Sequence, residues 1–225
     1  MDGLLLIDKP AGITSHDVVD RVRRIAHTRR VGHAGTLDPF ATGLLIIGVN
    51  KGTKALTALV GTDKTYDAVA RLGATSSTED PEGTITERPD AIPPTADAIE
   101  MVLDQFRGGY EQTASAFSAK KIGGKKLYEL ARKGTIEGII LPKKEVAITA
   151  LNVTRYDWPT LAFHTACGSG TYIRALARDI GDALGCGAYL TALRRTRVGN
   201  YDIAQAIPLD ALNPETLAQR LIPLA

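Results

Sequence analysis

The most informative stretch of this sequence is residues 32–43, which read Gly-His-Ala-Gly-Thr-Leu-Asp-Pro-Phe-Ala-Thr-Gly. Its one carboxylate belongs to Asp38, and Pro39 holds that residue away from the helical conformation. Glycines at positions 32, 35 and 43 allow the backbone to turn sharply on both sides. An Asp-Pro pair alone indicates only a turn. The whole stretch predicts a shaped loop that holds the Asp38 carboxylate in place.

Further blocks of sequence accompany this loop in a fixed order. They read Leu-Ile-Asp-Lys-Pro-Ala-Gly-Ile-Thr-Ser (6–15), Lys-Thr-Tyr-Asp-Ala-Val-Ala-Arg-Leu-Gly (64–73), Gly-Lys-Lys-Leu-Tyr-Glu-Leu-Ala-Arg (124–132), Gly-Thr-Tyr-Ile-Arg (170–174) and Leu-Arg-Arg (193–195). With the Asp38 loop they resemble the bacterial tRNA pseudouridine synthases that modify uridine 55 in the T loop. The resemblance extends to about Leu212. It implies an α+β pseudouridine synthase fold, isomerisation of uridine to pseudouridine in tRNA, and the T stem-loop as partner.

The same resemblance assigns three catalytic residues. Asp38 corresponds to the essential aspartate, either as the nucleophile or as the base that starts elimination at the ribose, and the attack at C1′ or at C6 stays open. Arg174 corresponds to the arginine that pairs with this aspartate, and a bidentate guanidinium would keep the carboxylate oriented. Tyr66 corresponds to the tyrosine that stacks on the uracil and handles the C5 proton.

Other residues are assigned to substrate binding. Tyr172 and Leu193 correspond to residues that line the base pocket, where an apolar wall excludes water. A stacked uridine must be flipped out before reaction, and His33 fits the gap that it leaves, although a lone histidine is as often an ordinary core or surface group. Lys9 is counted with this set, but its Lys-Pro segment corresponds to one that supports the catalytic loop.

The reaction explains why no cofactor or metal is expected. Pseudouridylation breaks a glycosidic bond, turns the uracil and forms a carbon–carbon bond, and it consumes no electrons, phosphate or water. One carboxylate is therefore chemically sufficient. Cys167 and Cys186 are too few and too far apart for a thiolate metal site or a disulfide framework.

The charges are segregated along the chain although the net charge is only +2. From Arg107 to Glu145 there are nine basic and four acidic residues, a net charge of +5. We interpret residues 107–145 as an insertion that grips RNA, with Lys120, Lys121, Lys125 and Lys126 on phosphates. A solvated helix face is the alternative. Phe117 stands where the family commonly has tyrosine, and the nearby proline of the family is missing.

Composition and length predict a single compact catalytic domain over residues 1–225. The hydrophobic content is 44%, and no apolar run reaches the roughly 18–20 residues of a membrane span. Since the start of the chain does not read as a signal peptide, a cytoplasmic protein is expected. No obligatory protein partner is expected either. The usual bacterial members of the family continue into a C-terminal RNA-binding (PUA) domain, which this sequence is expected to lack.

Residue patterns predict a central mixed, mainly antiparallel sheet with flanking helices. Apolar alternation indicates a strand over residues 65–72, with Tyr66 near its start. The spacing Thr14-x-x-Asp17 indicates a capped helix that runs to about Ala26. Strands are further predicted at residues 3–7, 44–49, 146–156, 161–166 and 188–198, and helices at 95–106 and 172–184. Helices are too few between strands for a doubly wound fold.

Three alternative functions are compatible with parts of the sequence. Nucleotide binding at Gly168-x-Gly170 fails because Ile173 stands where the dinucleotide fingerprint needs Gly or Ala. A non-catalytic RNA-binding or tRNA-folding protein could use the cationic segment alone, but aromatic residues make up only 5% of the chain, too few for an array of base-stacking platforms. The third alternative is a related pseudouridine synthase that acts on another RNA.

Overall fold

The computed structural model describes residues 1–117, 121–122, 124–127, 130 and 140–224, with residues 121, 122, 125 and 126 described by their backbone alone. The strands are β1 (Gly3–Lys9), β2 (Val31–Ala34), β3 (Thr42–Val49), β4 (Lys64–Leu72), β5 (Ala74–Ser76), β6 (Ile85–Glu87), β7 (Tyr110–Thr113), β8 (Lys121–Ile122), β9 (Lys125–Lys126), β10 (Lys143–Val146), β11 (Ile148–Asp157), β12 (Thr160–Cys167), β13 (Ala188–Val198), β14 (Tyr201–Asp202) and β15 (Ile207–Pro208). The α-helices within the described residues are α1 (Ser15–Ala26), α2 (Leu56–Val60), α3 (Ala96–Asp104), α4 (Ile173–Ala183) and α5 (Pro214–Arg220). Short 3₁₀ helices are Asn50–Lys54, Ile203–Gln205 and Leu209–Ala211.

The predicted α+β class is confirmed. Among the described residues, nine strands belong to one mixed sheet. Antiparallel pairing joins β1 to β3, β2 to β3, β11 to β12 and β13 to β14. Parallel pairing joins β1 to β15 and β13 to β3. The sheet is therefore mixed with mainly antiparallel neighbours, as the sequence predicts.

The chain forms two compact units, Met1–Asp67 with Ala192–Ala225, and Ala68–Thr191. Strands β4 and β13 each pass from one unit to the other along the sequence. A single catalytic domain with an insertion at residues 107–145, and without a PUA domain, stays a prediction. No helix in the described part of the chain is long and apolar enough to cross a membrane.

The first unit is built on β1, which is apolar from Gly3 to Ile7, and on β3, which is apolar from Gly43 to Val49. Leu5, Ile7, Leu44 and Ile46 are fully buried, and each such side chain stabilises the fold by about 1.5–3 kcal/mol. Runs without polar alternation indicate strands that are covered on both faces. Helix α1 begins at the predicted place, because Thr14 forms a complete capping box with Asp17.

The second unit contains the hairpin of β11 and β12, the pair β7 and β10, and helices α3 and α4. The predicted strand over residues 146–156 is in fact two strands, because β10 ends at Val146 and β11 begins at Ile148. Helix α3 is shorter than the predicted range 95–106, and Thr95 is its N-cap. Helix α4 agrees closely with the predicted range, since Tyr172 is its N-cap.

Candidate active site

The Lys9 side chain holds the Asp38 loop in place through hydrogen bonds. Its side chain is fully buried, and its ammonium donates to the carbonyl oxygens of Pro10 (2.8 Å), Ile13 (2.7 Å) and Pro39 (3.3 Å). A buried ammonium is tolerated only when such hydrogen bonds compensate for lost hydration. Lys9 therefore ties the residue after Asp38 to the segment after β1, and its contact with RNA stays a prediction.

Ser15 and Gly12 hold the loop at two further points. The Ser15 hydroxyl accepts from the Leu37 amide (2.9 Å) and donates to the Leu37 carbonyl (3.0 Å). The Gly12 amide donates to the Pro39 carbonyl (2.8 Å). Both neighbours of Asp38 are thus fixed by the segment between β1 and α1. Asp38 itself is half-buried, on a loop that is held by hydrogen bonds on both sides of it.

Arg195 supports the two ends of the same loop. It is 1% exposed, and its guanidinium donates to the carbonyls of Leu44 (2.8 Å) and Gly35 (3.0 Å). Gly43 has φ +103°, and a Cβ there would lie 2.3 Å from the Arg195 carbonyl oxygen. Glycine is therefore required at position 43 by both backbone angle and space.

Leu193 and Arg194 lie beside this support on β13. Leu193 is 8% exposed, and its carbonyl accepts from the Thr42 hydroxyl at 3.5 Å. The Arg194 guanidinium makes a bidentate ion pair with Asp8, at 2.7 and 3.0 Å. A bidentate pair fixes direction as well as charge, so the end of β1 and β13 are held together next to Leu193.

His33 and Tyr66 belong to the same unit. His33 lies on β2 opposite Ile47 of β3, and its Nδ1 has no hydrogen-bond partner within the described residues. Burial, followed by the positive charge of Arg195, lowers the pKa of His33 below 6.5. Tyr66 is 7% exposed on β4, and buried residues alternate along that strand, as its pattern predicts.

Arg174 of α4 has its contacts in the second unit. It is 5% exposed and forms an ion pair with Asp80, which is also 5% exposed, at 3.2 Å. It also donates to the carbonyl oxygens of Thr78 (2.7 Å) and Phe117 (3.0 Å). Asp80 was missed by the sequence analysis, although it lies in the acidic Glu-Asp-Pro-Glu turn. A pairing of Arg174 with Asp38 stays a prediction.

Glu79 and Arg178 form a second ion pair beside Asp80. Burial raises the pKa of Glu79 although Arg178 acts in the opposite direction. Arg178 also contacts Asp179 (2.8 Å) and the Thr113 carbonyl (3.0 Å). Glu79 has φ +65°, a conformation that is uncommon for a residue other than glycine. The turn that presents Asp80 to Arg174 is therefore held by several buried polar contacts.

Tyr172 is held at the start of α4 by Gln112. The Tyr172 amide donates to Gln112 Oε1 (2.9 Å), and Gln112 Nε2 donates to the Tyr172 carbonyl (3.0 Å). Gln112 is 2% exposed. One glutamine in a short strand carries no distinctive sequence pattern, so this contact could not be predicted from the sequence.

The lysines predicted to grip RNA are only partly described. Lys120 lies outside the described residues. Lys121, Lys125 and Lys126 have a described backbone, in which β8 and β9 pair antiparallel around Gly124 at φ +80°. Contacts of these four lysines with phosphates stay a prediction. No group of three or more His, Cys, Asp or Glu side chains that could hold a metal occurs in the described part of the chain.

The fold is that of the pseudouridine synthases. The structure resembles a chain in the crystal structure of a Cbf5-Nop10-Gar1 complex with a TM-score of 0.73 and 29% sequence identity, over 93% of this chain and 53% of that one. The chain is also similar to the tRNA pseudouridine synthase B of Mycobacterium sp. (strain KMS), with 50% identity over 218 residues, 95% of this chain and 72% of the relative. The enzyme of the same name from Leifsonia xyli subsp. xyli (strain CTCB07) is 50% identical over 228 residues, 98% of this chain and 74% of the relative.

Two family models match consecutive parts of the chain. Residues 23–173 match the TruB family pseudouridylate synthase N-terminal domain. Residues 174–221 match the tRNA pseudouridylate synthase B C-terminal domain. The chain belongs to the TruB family of pseudouridylate synthases, which confirms the family that the sequence blocks predict.

Proposed function

We propose that this protein isomerises uridine to pseudouridine at position 55 in the T loop of tRNA. The observation that carries the proposal is the 50% identity, over 95% of this chain, to a protein named tRNA pseudouridine synthase B. The anchored Asp38 loop supports it, because a carboxylate on a rigid, half-buried loop is suited to repeated attack at one atom.

The chemistry assigns a task to each residue. The C1′–N1 bond of the uridine breaks, a C1′–C5 bond forms, and the proton on C5 is lost while N1 gains one. Asp38 begins this sequence as a nucleophile toward the sugar or the uracil ring, or as the base that starts elimination. Tyr66 stacks on the uracil and handles the C5 proton. The reaction consumes no co-reactant, so the protein needs no cofactor.

Arg174 orients Asp38 in this proposal, while Tyr172 and Leu193 line the base pocket. His33 occupies the gap left by the flipped uridine. Burial lowers the pKa of His33, so the ring is neutral at physiological pH and can stack without placing a charge among the bases. Such a neutral filler stabilises the opened loop during reaction.

Lysines of the 107–145 insertion hold the phosphates of the T stem-loop. The charge of this segment, +5, supports a polyanionic partner. We place the reaction in the cytoplasm, where tRNA is found, and without an obligatory protein partner. The similar Cbf5 chain is found in a complex with Nop10 and Gar1.

The proposal is tested by incubating the purified protein with an unmodified tRNA transcript and mapping pseudouridine along it. Modification at uridine 55, and none in a transcript with cytidine at that position, is the expected result. Modification only at other uridines or in another RNA would favour the alternative synthase. Binding of tRNA without any pseudouridine would favour the tRNA-folding protein.

A further inference from the structure

The Gln112 side chain makes an unusual set of contacts, although it lies outside the sequence blocks that carry the family resemblance. Its amide is almost completely buried and exchanges two hydrogen bonds with the backbone of one residue, Tyr172. Its Nε2 also donates to the hydroxyl of Tyr110 at 2.7 Å. Three of the four hydrogen bonds that an amide side chain can make are thus satisfied at once.

The two hydrogen bonds between Gln112 and Tyr172 act at the start of helix α4. Tyr172 is the N-cap of α4, with extended backbone angles (φ −97°, ψ 111°), and its own side chain makes no capping bond. Its carbonyl already accepts the first helical bond from Leu176 at 3.0 Å. Amides at a helix start have no partner within the helix. Gln112 therefore fixes the residue where extended chain becomes helix, two residues before Arg174.

A buried network strengthens the same attachment further along α4. The Tyr110 hydroxyl donates to Asp179 at 2.8 Å, and Arg178 donates to the Thr113 carbonyl at 3.0 Å. Burial and the negative charge of Asp179 raise the pKa of Tyr110, so its hydroxyl stays protonated and keeps donating. Strand β7 thus contacts α4 through its first residue, Tyr110, through Gln112 and through its last residue, Thr113.

We infer that Gln112 is a positioning residue for pseudouridine formation: its amide fixes Tyr172 and the first turn of α4, and so the direction in which Arg174 projects. This rests on the proposed function, in which Tyr172 and Arg174 belong to the site. Arg174 has fixed acceptors on Asp80 and on the Thr78 and Phe117 carbonyls. A shift of about 1 Å at the start of α4 disturbs all of these contacts, and a misplacement of that size can lower a rate by about 100-fold.

The test compares Gln112→Met with Gln112→Glu and with the same Gln→Met change at an exposed glutamine on α5. Met keeps the length of the side chain and removes all three hydrogen bonds. Glu keeps the acceptor for the Tyr172 amide and loses the two hydrogen bonds that Gln112 Nε2 donates. Gln219→Met is the control, because Gln219 is exposed on α5 and its amide bonds the exposed Glu215 at the surface.

The readouts are the single-turnover rate with tRNA, the dissociation constant for tRNA, and amide hydrogen exchange at residues 172–176. Gln112→Met should lower the rate by at least about tenfold, leave the dissociation constant within about threefold, and speed the exchange of the Tyr172 amide. Gln112→Glu should recover part of the rate, and Gln219→Met should behave as wild type. All variants are compared below the onset of unfolding measured by circular dichroism.

Two results would overturn the inference. A normal single-turnover rate in Gln112→Met, with or without faster exchange, would leave Gln112 with a role in stability only. A lowered affinity with an unchanged rate would make it an RNA-binding determinant. Failure of the proposed function itself is seen separately, because wild-type protein would then form no pseudouridine, whereas the exchange measurement still reports on the contact between Gln112 and Tyr172.

Discussion

Arg174 and Asp80 form a buried ion pair, with 3.2 Å between the guanidinium and the carboxylate and with each side chain 5% exposed. The Arg174 guanidinium also donates to the carbonyl oxygens of Thr78 and Phe117. Both terminal nitrogens therefore have acceptors, which fix the plane of the guanidinium. A guanidinium held in this way has little freedom left to reorient. The orientation of Arg174 is therefore set within its own unit before any RNA arrives.

Replacement of Arg174 by lysine should be severe. The lysine side chain is shorter and ends in a single ammonium. This group cannot bond to Asp80 and to two carbonyl oxygens at the same time. We expect Arg174→Lys to lower the rate of pseudouridine formation by about 100-fold or more. Arg155→Lys is the matched control, because Arg155 is exposed and pairs with the exposed Asp157. A rate within about threefold of wild type would remove Arg174 from the site.

The ion pair should also matter for stability. Removing one partner of a buried pair leaves the other charge uncompensated, so Asp80→Ala should lower the free energy of unfolding by about 3–5 kcal/mol. Asp157→Ala, at an exposed pair, should change it by less than about 1 kcal/mol. Urea unfolding measures both. Equal effects of the two substitutions would mean that Asp80 and Arg174 are solvated in the folded protein.

His33 should make stability depend on pH. Its pKa is lower in the folded protein than the ordinary 6.5, so the unfolded chain binds more protons below that pH. The resulting stability is fully present above 6.5 and is lost as the pH falls through the folded pKa. Wild type should therefore lose stability relative to His33→Gln between about pH 7.5 and pH 5.5. Urea unfolding at both values checks this, with exposed His27→Gln as control. The same pH dependence in wild type and His33→Gln would contradict it.

Lysines of the insertion should control the salt dependence of RNA binding. If Lys125 and Lys126 contact phosphates, changing both to glutamine should flatten the slope of log affinity against log salt by about one to two units. Lys51→Gln with Lys54→Gln removes the same charge from the 3₁₀ helix after β3 and should leave the slope unchanged. An equal slope for wild type and the Lys125/Lys126 variant would show that these two lysines lie on a solvated face and do not contact phosphates.

Features set by neighbouring residues could be predicted from the sequence. The capping box of Thr14 and Asp17 needs residues three apart, and the burial of Tyr66 follows from alternation along one strand. The apolar runs of β1 and β3 likewise indicate their buried position. These features depend on local conformation and hydrophobic periodicity, which a single sequence carries directly.

Contacts between distant residues could not be predicted in this way. Gln112 and Tyr172 are 60 positions apart, and nothing local to either residue indicates the other. Arg174 forms an ion pair with Asp80, which is likewise distant in the sequence, and its pairing with Asp38 stays a prediction. Any of several acidic residues could have supplied that carboxylate, and only the packing of α4 against the turn at residues 78–80 selects it.

Asp38 carries out the isomerisation in the proposed function, and the most direct test is pseudouridine formation in tRNA by Asp38→Asn. The amide keeps the shape of the side chain and removes the nucleophile or base, while Lys9 and Ser15 still hold the loop. Exposed Asp90→Asn is the matched control. We predict no detectable product from Asp38→Asn, tRNA affinity within about threefold of wild type, and normal activity of the control. Turnover by Asp38→Asn above about one hundredth of the wild-type rate would contradict the account.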